Sequence, residues 1–236
     1  MSEKVDLRLD WCSYKAAKFA VEHWHYSKTM PSGLLIKIGA WEDNKYIGCV
    51  LFGRGGTYTI GDPYGLEQTE VCELVRVALT VHKSFTSRIL SQSIKMLKKQ
   101  NPGIRLIVSY ADSKENHHGG IYQATNWIFT GGSEDSWIKV NGKLTHRRSI
   151  TSTYGTNSLE WLQKNVDPNA ERVNMPPKWK YLFPLDDAMR KQIEPLRKPY
   201  PKRDTGETDN APQTNAETGG ASPTVSLSEV NNGTPY

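Results

Sequence analysis

The chain has 236 residues, 37% of them hydrophobic, enough for one core of ordinary size plus extensions. No run reaches the roughly 18–20 apolar residues that cross a bilayer, the opening MSEKVDLRLD has no signal-peptide stretch, and three unpaired cysteines (Cys12, Cys49, Cys72) make no C-x-x-C motif or disulfide framework. Secreted, membrane-spanning and zinc-ribbon classes are thereby excluded, and a reducing cytoplasm is the expected compartment.

The charge is unevenly spread. Thirty Lys and Arg face 25 Asp and Glu for a net +5, and five of those acids lie in Asp204–Tyr236, which has no Lys or Arg; residues 1–203 therefore carry +10. Such an excess suits a polyanion partner, DNA or RNA.

Val5–Trp11 reads as a strand, and Ser13 as the N-cap of a helix over Tyr14–Trp24. Leu34–Trp41 and Tyr46–Phe52 read as strands of a hairpin around Asp43-Asn44. After a glycine-rich connector, Glu70–Thr80 is a strand and Thr86–Lys99 a helix closed by Asn101-Pro102-Gly103. Leu106–Tyr110 is a short apolar run, a strand covered on both faces. Gly120–Asn126 is a short helix, and Trp137–Val140 with Lys143–Ser149 a last hairpin around Asn141-Gly142. This order predicts an α/β (α+β) fold with a mixed central sheet flanked by helices.

Three units are expected: a catalytic domain over 1–155, a basic extension over 156–203 and a disordered acidic tail over 204–236. The stretch Arg172–Arg203 holds nine Lys/Arg against three acids with interleaved aromatics, and reads as an arm with one helix near Leu185–Ile193. Lys178, Lys180, Arg190, Lys191, Arg197, Lys198, Lys202 and Arg203 are its candidate DNA contacts, and deleting it is expected to abolish duplex binding and leave the fold intact. The tail, rich in Thr, Asn, Gly, Pro and Ser, cannot bury enough surface to order itself.

Four segments could carry chemistry. Glu22-His23-Trp24-His25-Tyr26-Ser27 offers two histidines that act together only if the helix has ended between them; a helix-end cation is the alternative. In Val71-Cys72-Glu73-Leu74-Val75-Arg76-Val77, strict alternation puts Glu73 with Val75 and Val77, and Arg76 with Leu74; a buried ion pair or an anion-holding Arg76 both explain the charges. His82-Lys83-Ser84-Phe85-Thr86-Ser87-Arg88 supplies amides, hydroxyls and cations for a phosphate, with Thr86, Ser87 and Arg88 as candidate cofactor contacts, although simple N-capping accounts for the hydroxyls equally. Asp112 follows a buried strand, where open sheets bind ligands, and His117, His118 and Tyr122 come close behind. One of the two histidines could be a metal ligand.

The element order resembles the GNAT acyltransferase fold, in which the helix after the fourth strand receives the pyrophosphate of an acyl coenzyme A. The usual glycine-spaced loop is absent between His82 and Arg88. The strings HYS, WEDNKYIGCVLFGRGG, YGLEQTEVCELVRVAL, RLIVSYADSKENHHGGIYQATNWIFTG and KYLFPLDDAMRK with RKPYPKR, spanning about His23 to Arg203, resemble the Mom family of phage DNA-modification proteins.

That resemblance implies a GNAT-like enzyme that converts adenine in double-stranded DNA to N6-carbamoylmethyladenine and so shields phage DNA from host restriction. It implies a small-molecule donor, acetyl-CoA or a related acyl donor, and in a competing view iron. Carried over by motif, Arg76, Asp112, Tyr122 and His25 are catalytic and Ser87 binds the cofactor; Asp112 accepts or orients the amine and Tyr122 protonates a leaving group. Tyr26, Trp127 and Phe129 are candidate surfaces for a flipped base. A conventional GNAT N-acetyltransferase and a non-catalytic DNA-binding protein are the alternatives.

Overall fold

The computed structural model describes residues 5–115 and 117–201. Its frame is one eight-stranded mixed sheet in the order β1-β2-β3-β4-β5-β8-β6-β7. The strands are β1 (Leu7–Trp11), β2 (Leu35–Glu42), β3 (Lys45–Gly53), β4 (Val71–Leu79), β5 (Leu106–Asp112), β6 (Ile128–Val140), β7 (Lys143–His146) and β8 (Glu171–Pro184). Only β4 and β5 are parallel, joined by the crossover helix α2 (Thr86–Gln100). The mixed α/β architecture expected from the sequence is the one observed. Among the described residues no helix is long and apolar enough to cross a membrane.

Local chemistry explains most of these elements. Asp43 (φ 47°) and Asn44 (φ 64°) are both left-handed, the turn that matches strand twist, and Asn141 (φ 50°) with Gly142 (φ 71°) does the same between β6 and β7. Ser13 caps α1 (Tyr14–Trp24), its hydroxyl accepting the Ala16 N–H at 3.2 Å. The small residues Ala16, Ala17 and Ala20 then let α1 sit close against Trp41, Cys49 and Leu51.

On the opposite sheet face α2 buries Ile89, Leu90, Ile94 and Leu97 against Val50, Phe52, Cys72 and Ile107, joined there by α3 (Gly120–Gln123) through Tyr122. A third cluster, on the α1 side, packs α6 (Asp187–Ile193) through Met189 and Ile193 onto Val108, Ile128 and Leu182. A separate small core holds α4 (Arg147–Tyr154) and α5 (Leu159–Asn165) on the far ends of β6 and β8 through Ile138, Val140, Ile150, Leu162 and Ala170.

The expected boundary at residue 155 does not hold. β8 lies inside the sheet, pairing Leu106–Asp112 on one side and Ile128–Lys139 on the other. Residues 171–184 are therefore a central strand and not an appended arm, and their deletion removes the support of β5 instead of sparing the fold. The alternation Trp179, Tyr181, Phe183 against Lys178, Lys180, Leu182 is the signature of that strand, masked in sequence by Pro176-Pro177, which reads as a turn. β6 likewise begins at Ile128, nine residues before the expected Trp137, because Gly131-Gly132 resembles a loop. The expected strand through Ser149 stops at His146, whose ring caps α4. The expected tail, together with Lys202 and Arg203, lies outside the described residues.

Candidate active site

The site begins with an irregularity. Between β3 and β4, Leu51 pairs with Arg76 and Phe52 with Leu74, so Val75 is an extra residue, a β-bulge. Strict alternation therefore fails: Leu74 and Val77 both face the α2 cluster, while Glu73 and Arg76 come onto the α1 side together. Arg76 donates to the carbonyls of Val75 (2.7 Å) and Thr29 (3.4 Å), and its buried Nε has no partner among the described residues.

β4 and β5 then separate. Their pairing ends at Leu74 and Ser109, and the Ser109 hydroxyl bridges the Leu74 carbonyl (2.8 Å) and the Tyr122 hydroxyl (2.9 Å). This bridge forms the floor of a cleft between the two diverging strands. Tyr122 is packed between Trp127 and Tyr181, and burial pushes its phenol up to about 12. It is thus a buried floor residue, protonated at neutral pH, and not a group at the mouth.

The rim comes from the end of α1. The helix stops at Trp24, and His25 adopts extended backbone angles, which separates the two histidines. His23 turns back on the helix, with Nδ1 at 2.8 Å from the Phe19 carbonyl and its ring stacked on Phe19. His25 is buried at the cleft, where desolvation, then the charges of Arg76, His117 and Lys28, lower its pKa to about 4. Its Nδ1 accepts the Ser27 N–H (3.1 Å), so the neutral ring carries its proton on Nε2 and presents a donor. Tyr26, 46% exposed, lies between the rings of His25 (4.3 Å) and His117 (5.1 Å), and partial burial, then the Asp112 charge, raise its pKa against the pull of Arg76.

Glu73 is the group that sequence reasoning undervalued. Its Oε2 accepts the Gly56 N–H at 3.2 Å, and among the described residues its Oε1 has no hydrogen bond. Burial raises its pKa against the opposing pull of Gly56, Arg76, Lys178 and Arg148. Lys178 and Lys180 stand in register with Asp112 and Tyr110, on the same face, and Lys180 lies 5.1 Å over the Tyr64 ring. Two carboxylates, Glu73 and Asp112, are thus set among Arg76, Arg148, Lys178 and Lys180.

The structure brings Arg76 and His117 within electrostatic reach of His25, and Asp112 and Arg76 within reach of Tyr26, whose ring lies 5.1 Å from that of His117. Trp127 and Phe129 are core residues, leaving Tyr26 as the exposed aromatic among the candidates for a flipped base. Arg190 and Lys191 lie on α6, Arg197 is held by Glu194, and Lys198 follows the β6 edge through its N–H to the Phe129 carbonyl (2.8 Å).

The expected cofactor contacts sit at the start of α2. The amides of Lys83 and Ser84 are already taken by the buried carboxylate of Glu42 (2.9 and 2.6 Å), whose pKa falls because these bonds outweigh its desolvation. The Thr86 hydroxyl is bonded to His82 Nε2 at 3.1 Å, and Phe85, the N-cap, gives α2 no side-chain cap. The Thr86 and Ser87 amides and the exposed Arg88 remain. Half of the amide seat that a coenzyme diphosphate needs is filled by a protein anion, so the turn fits such a group poorly. Among the described residues no three His, Cys, Asp or Glu side chains converge, and the His118 carbonyl is occupied by Tyr181 and Gln123.

A profile of the Mom protein family matches residues 6–202. This chain belongs to the Mom protein family. The Mom relative "Methylcarbamoylase mom" of Escherichia phage Mu is 23% identical over 205 residues, 84% of each chain. Among solved structures, a protein of Acinetobacter baylyi ADP1 provisionally assigned as an acetyltransferase aligns with a TM-score of 0.43 at 10% identity, over 79% of this chain and 96% of its own; so loose a likeness bears on no residue of the Mom site.

Proposed function

We propose that this Mom-family protein transfers a carbamoylmethyl group to the exocyclic amine of adenine in double-stranded DNA, a modification that protects phage DNA from restriction. The observation that carries the reading is the cleft itself: an exposed aromatic, Tyr26, beside two carboxylates ringed by cations, in a family whose phage Mu relative is described as a methylcarbamoylase. A duplex base must leave the stack to be modified, and an aromatic face repays part of that cost. Tyr26 receives the base. The surrounding cations hold the phosphates on either side.

Adenine's amine is a weak nucleophile because its lone pair is delocalised into the ring. Asp112 accepts a hydrogen bond from it and orients it. As the new C–N bond forms, the released proton passes to Glu73, whose open Oε1 and burial-raised pKa make it a better proton acceptor than an ordinary carboxylate. Arg76 and the Nε2–H of His25 steady negative charge on the donor's departing group. Tyr122 and Ser109 hold the separation of the strands that makes room for these groups; this positioning role replaces proton donation by Tyr122. The donor is a small molecule.

The test is the restriction sensitivity of plasmid DNA from cells expressing the protein. The reading predicts resistance with the wild type and sensitivity with Asp112→Asn. Sensitive plasmid from cells holding folded wild-type protein contradicts it, and favours an ordinary N-acetyltransferase or a binding module.

A further inference from the structure

The element best placed to touch the duplex was not legible as such in the sequence. α4 has the sequence RRSITSTY, and Ile150 is its buried anchor in the small outer core, while Arg147, Arg148, Ser149, Thr151, Ser152 and Thr153 face water. It holds two arginines and no acid, and among the described residues neither arginine is in an ion pair.

Its start is fixed by the His146 ring, which accepts the Arg148 N–H at 3.1 Å. The Thr151 and Thr153 hydroxyls return to the carbonyls of Arg147 and Ser149, leaving Ser149 and Ser152 as the hydroxyl donors. The helix also borders the cleft. Arg148 Nη1 lies 3.5 Å from the Gly56 carbonyl, and the same Gly56 gives its N–H to Glu73. The Arg148 charge acts on both Glu73 and Tyr110.

We infer that α4 is a docking element for the sugar–phosphate backbone of duplex DNA, with Arg147, Arg148, Ser149 and Ser152 binding the phosphates beside the nucleotide that enters the cleft. The inference rests on the DNA-modifying function proposed above. A helix of eight residues is about 12 Å long, the axial length of three to four phosphates on one strand. Arginine forks and short hydroxyls are the side chains that bind phosphate oxygens without reading sequence. Lys178 and Lys180 continue the same cationic surface on the adjoining sheet face. The basic residues of α6, by contrast, belong to an element that starts beside Leu106, at the other end of β5 from Asp112.

The experiment is fluorescence anisotropy of a labelled 30-bp duplex, with full-length protein, over a salt series. Arg147→Ala/Arg148→Ala lowers affinity at least tenfold at physiological salt and reduces the slope of log K against log salt by about two, since each lost phosphate contact removes about 0.9. Arg147→Lys/Arg148→Lys keeps most of the binding, and both variants keep the wild-type melting temperature because the side chains are exposed. Arg190→Ala/Lys191→Ala leaves the salt slope unchanged. An alanine pair at 147 and 148 that binds like wild type, or a slope change confined to the α6 pair, overturns the inference. Duplex affinity is read apart from base modification: a wild-type protein that binds DNA through α4 yet leaves adenine unmodified contradicts the proposed chemistry and supports the docking surface, whereas wild type with no salt-dependent binding contradicts both.

Discussion

Glu42 and Glu73 are carboxylates in the same sheet, and their surroundings push them in opposite directions. At the turn before α2, Glu42 accepts two backbone amides at 2.9 and 2.6 Å, and its pKa falls. In the cleft, Glu73 accepts one amide at 3.2 Å, burial dominates, and its pKa rises. A carboxylate saturated by amides is a structural anchor; one desolvated with an oxygen left open is chemically available. The difference also relocates function. At the turn before α2 the Lys83 and Ser84 amides are taken by Glu42, whereas the open carboxylate oxygen of Glu73 lies where β4 and β5 part.

The strongest test of the contrast is Glu42→Ala, which strands the buried Ser84 amide and the part-buried Lys83 amide. Each buried donor without a partner costs about 1–3 kcal/mol, so stability should fall by about 2–6 kcal/mol and the melting temperature by about 4–24 °C. An unchanged melting curve would show that Glu42 anchors nothing. Glu73→Gln should behave the other way: Gln still accepts the Gly56 N–H, so the melting temperature holds within a few degrees, while DNA modification falls about 100-fold, the smaller end of what a lost acid–base group costs. Full modification by Glu73→Gln contradicts its role as base.

A smaller effect concerns His25. Its folded pKa, about 4, lies below the ordinary value of 6.5, so the unfolded chain takes up the proton first as pH falls and stability declines between about pH 6.5 and 4. Wild type should lose about 1 kcal/mol between pH 7 and pH 5 from this group, after allowance for solvent screening, and His25→Gln should remove that part of the slope, as read by denaturation at both pH values. Acetyl-CoA should have the smallest effect, with no saturable rise in melting temperature. A saturable rise that disappears in Ser87→Ala would reopen the turn as a cofactor seat.

What the sequence disclosed follows from how local each signal is. Asp43-Asn44, Asn141-Gly142 and the Ser13 cap act within a few residues, so both hairpin turns and α1 stand where expected. The separation of His25 from His23 follows from the end of α1 at Trp24, the boundary expected from the sequence. The bulge at Val75 is set by pairing with β3, so the sharing of one face by Glu73 and Arg76 is invisible to a reading based on alternation. β8 was hidden by its prolines and lysines, and α4 by its polar composition: a single buried Ile150 leaves no helical stripe to detect. Arg76 and Asp112 were legible because charges within or at the end of apolar strands need a reason.

The most direct test of the account is mass spectrometry of nucleosides from the DNA of bacteria expressing wild type, Asp112→Ala and Glu73→Gln. A deoxyadenosine heavier by one carbamoylmethyl group with the wild type, absent with Asp112→Ala and sharply reduced with Glu73→Gln, is the predicted result. Unmodified nucleosides from cells containing folded wild-type protein, or full modification by both variants, would contradict it.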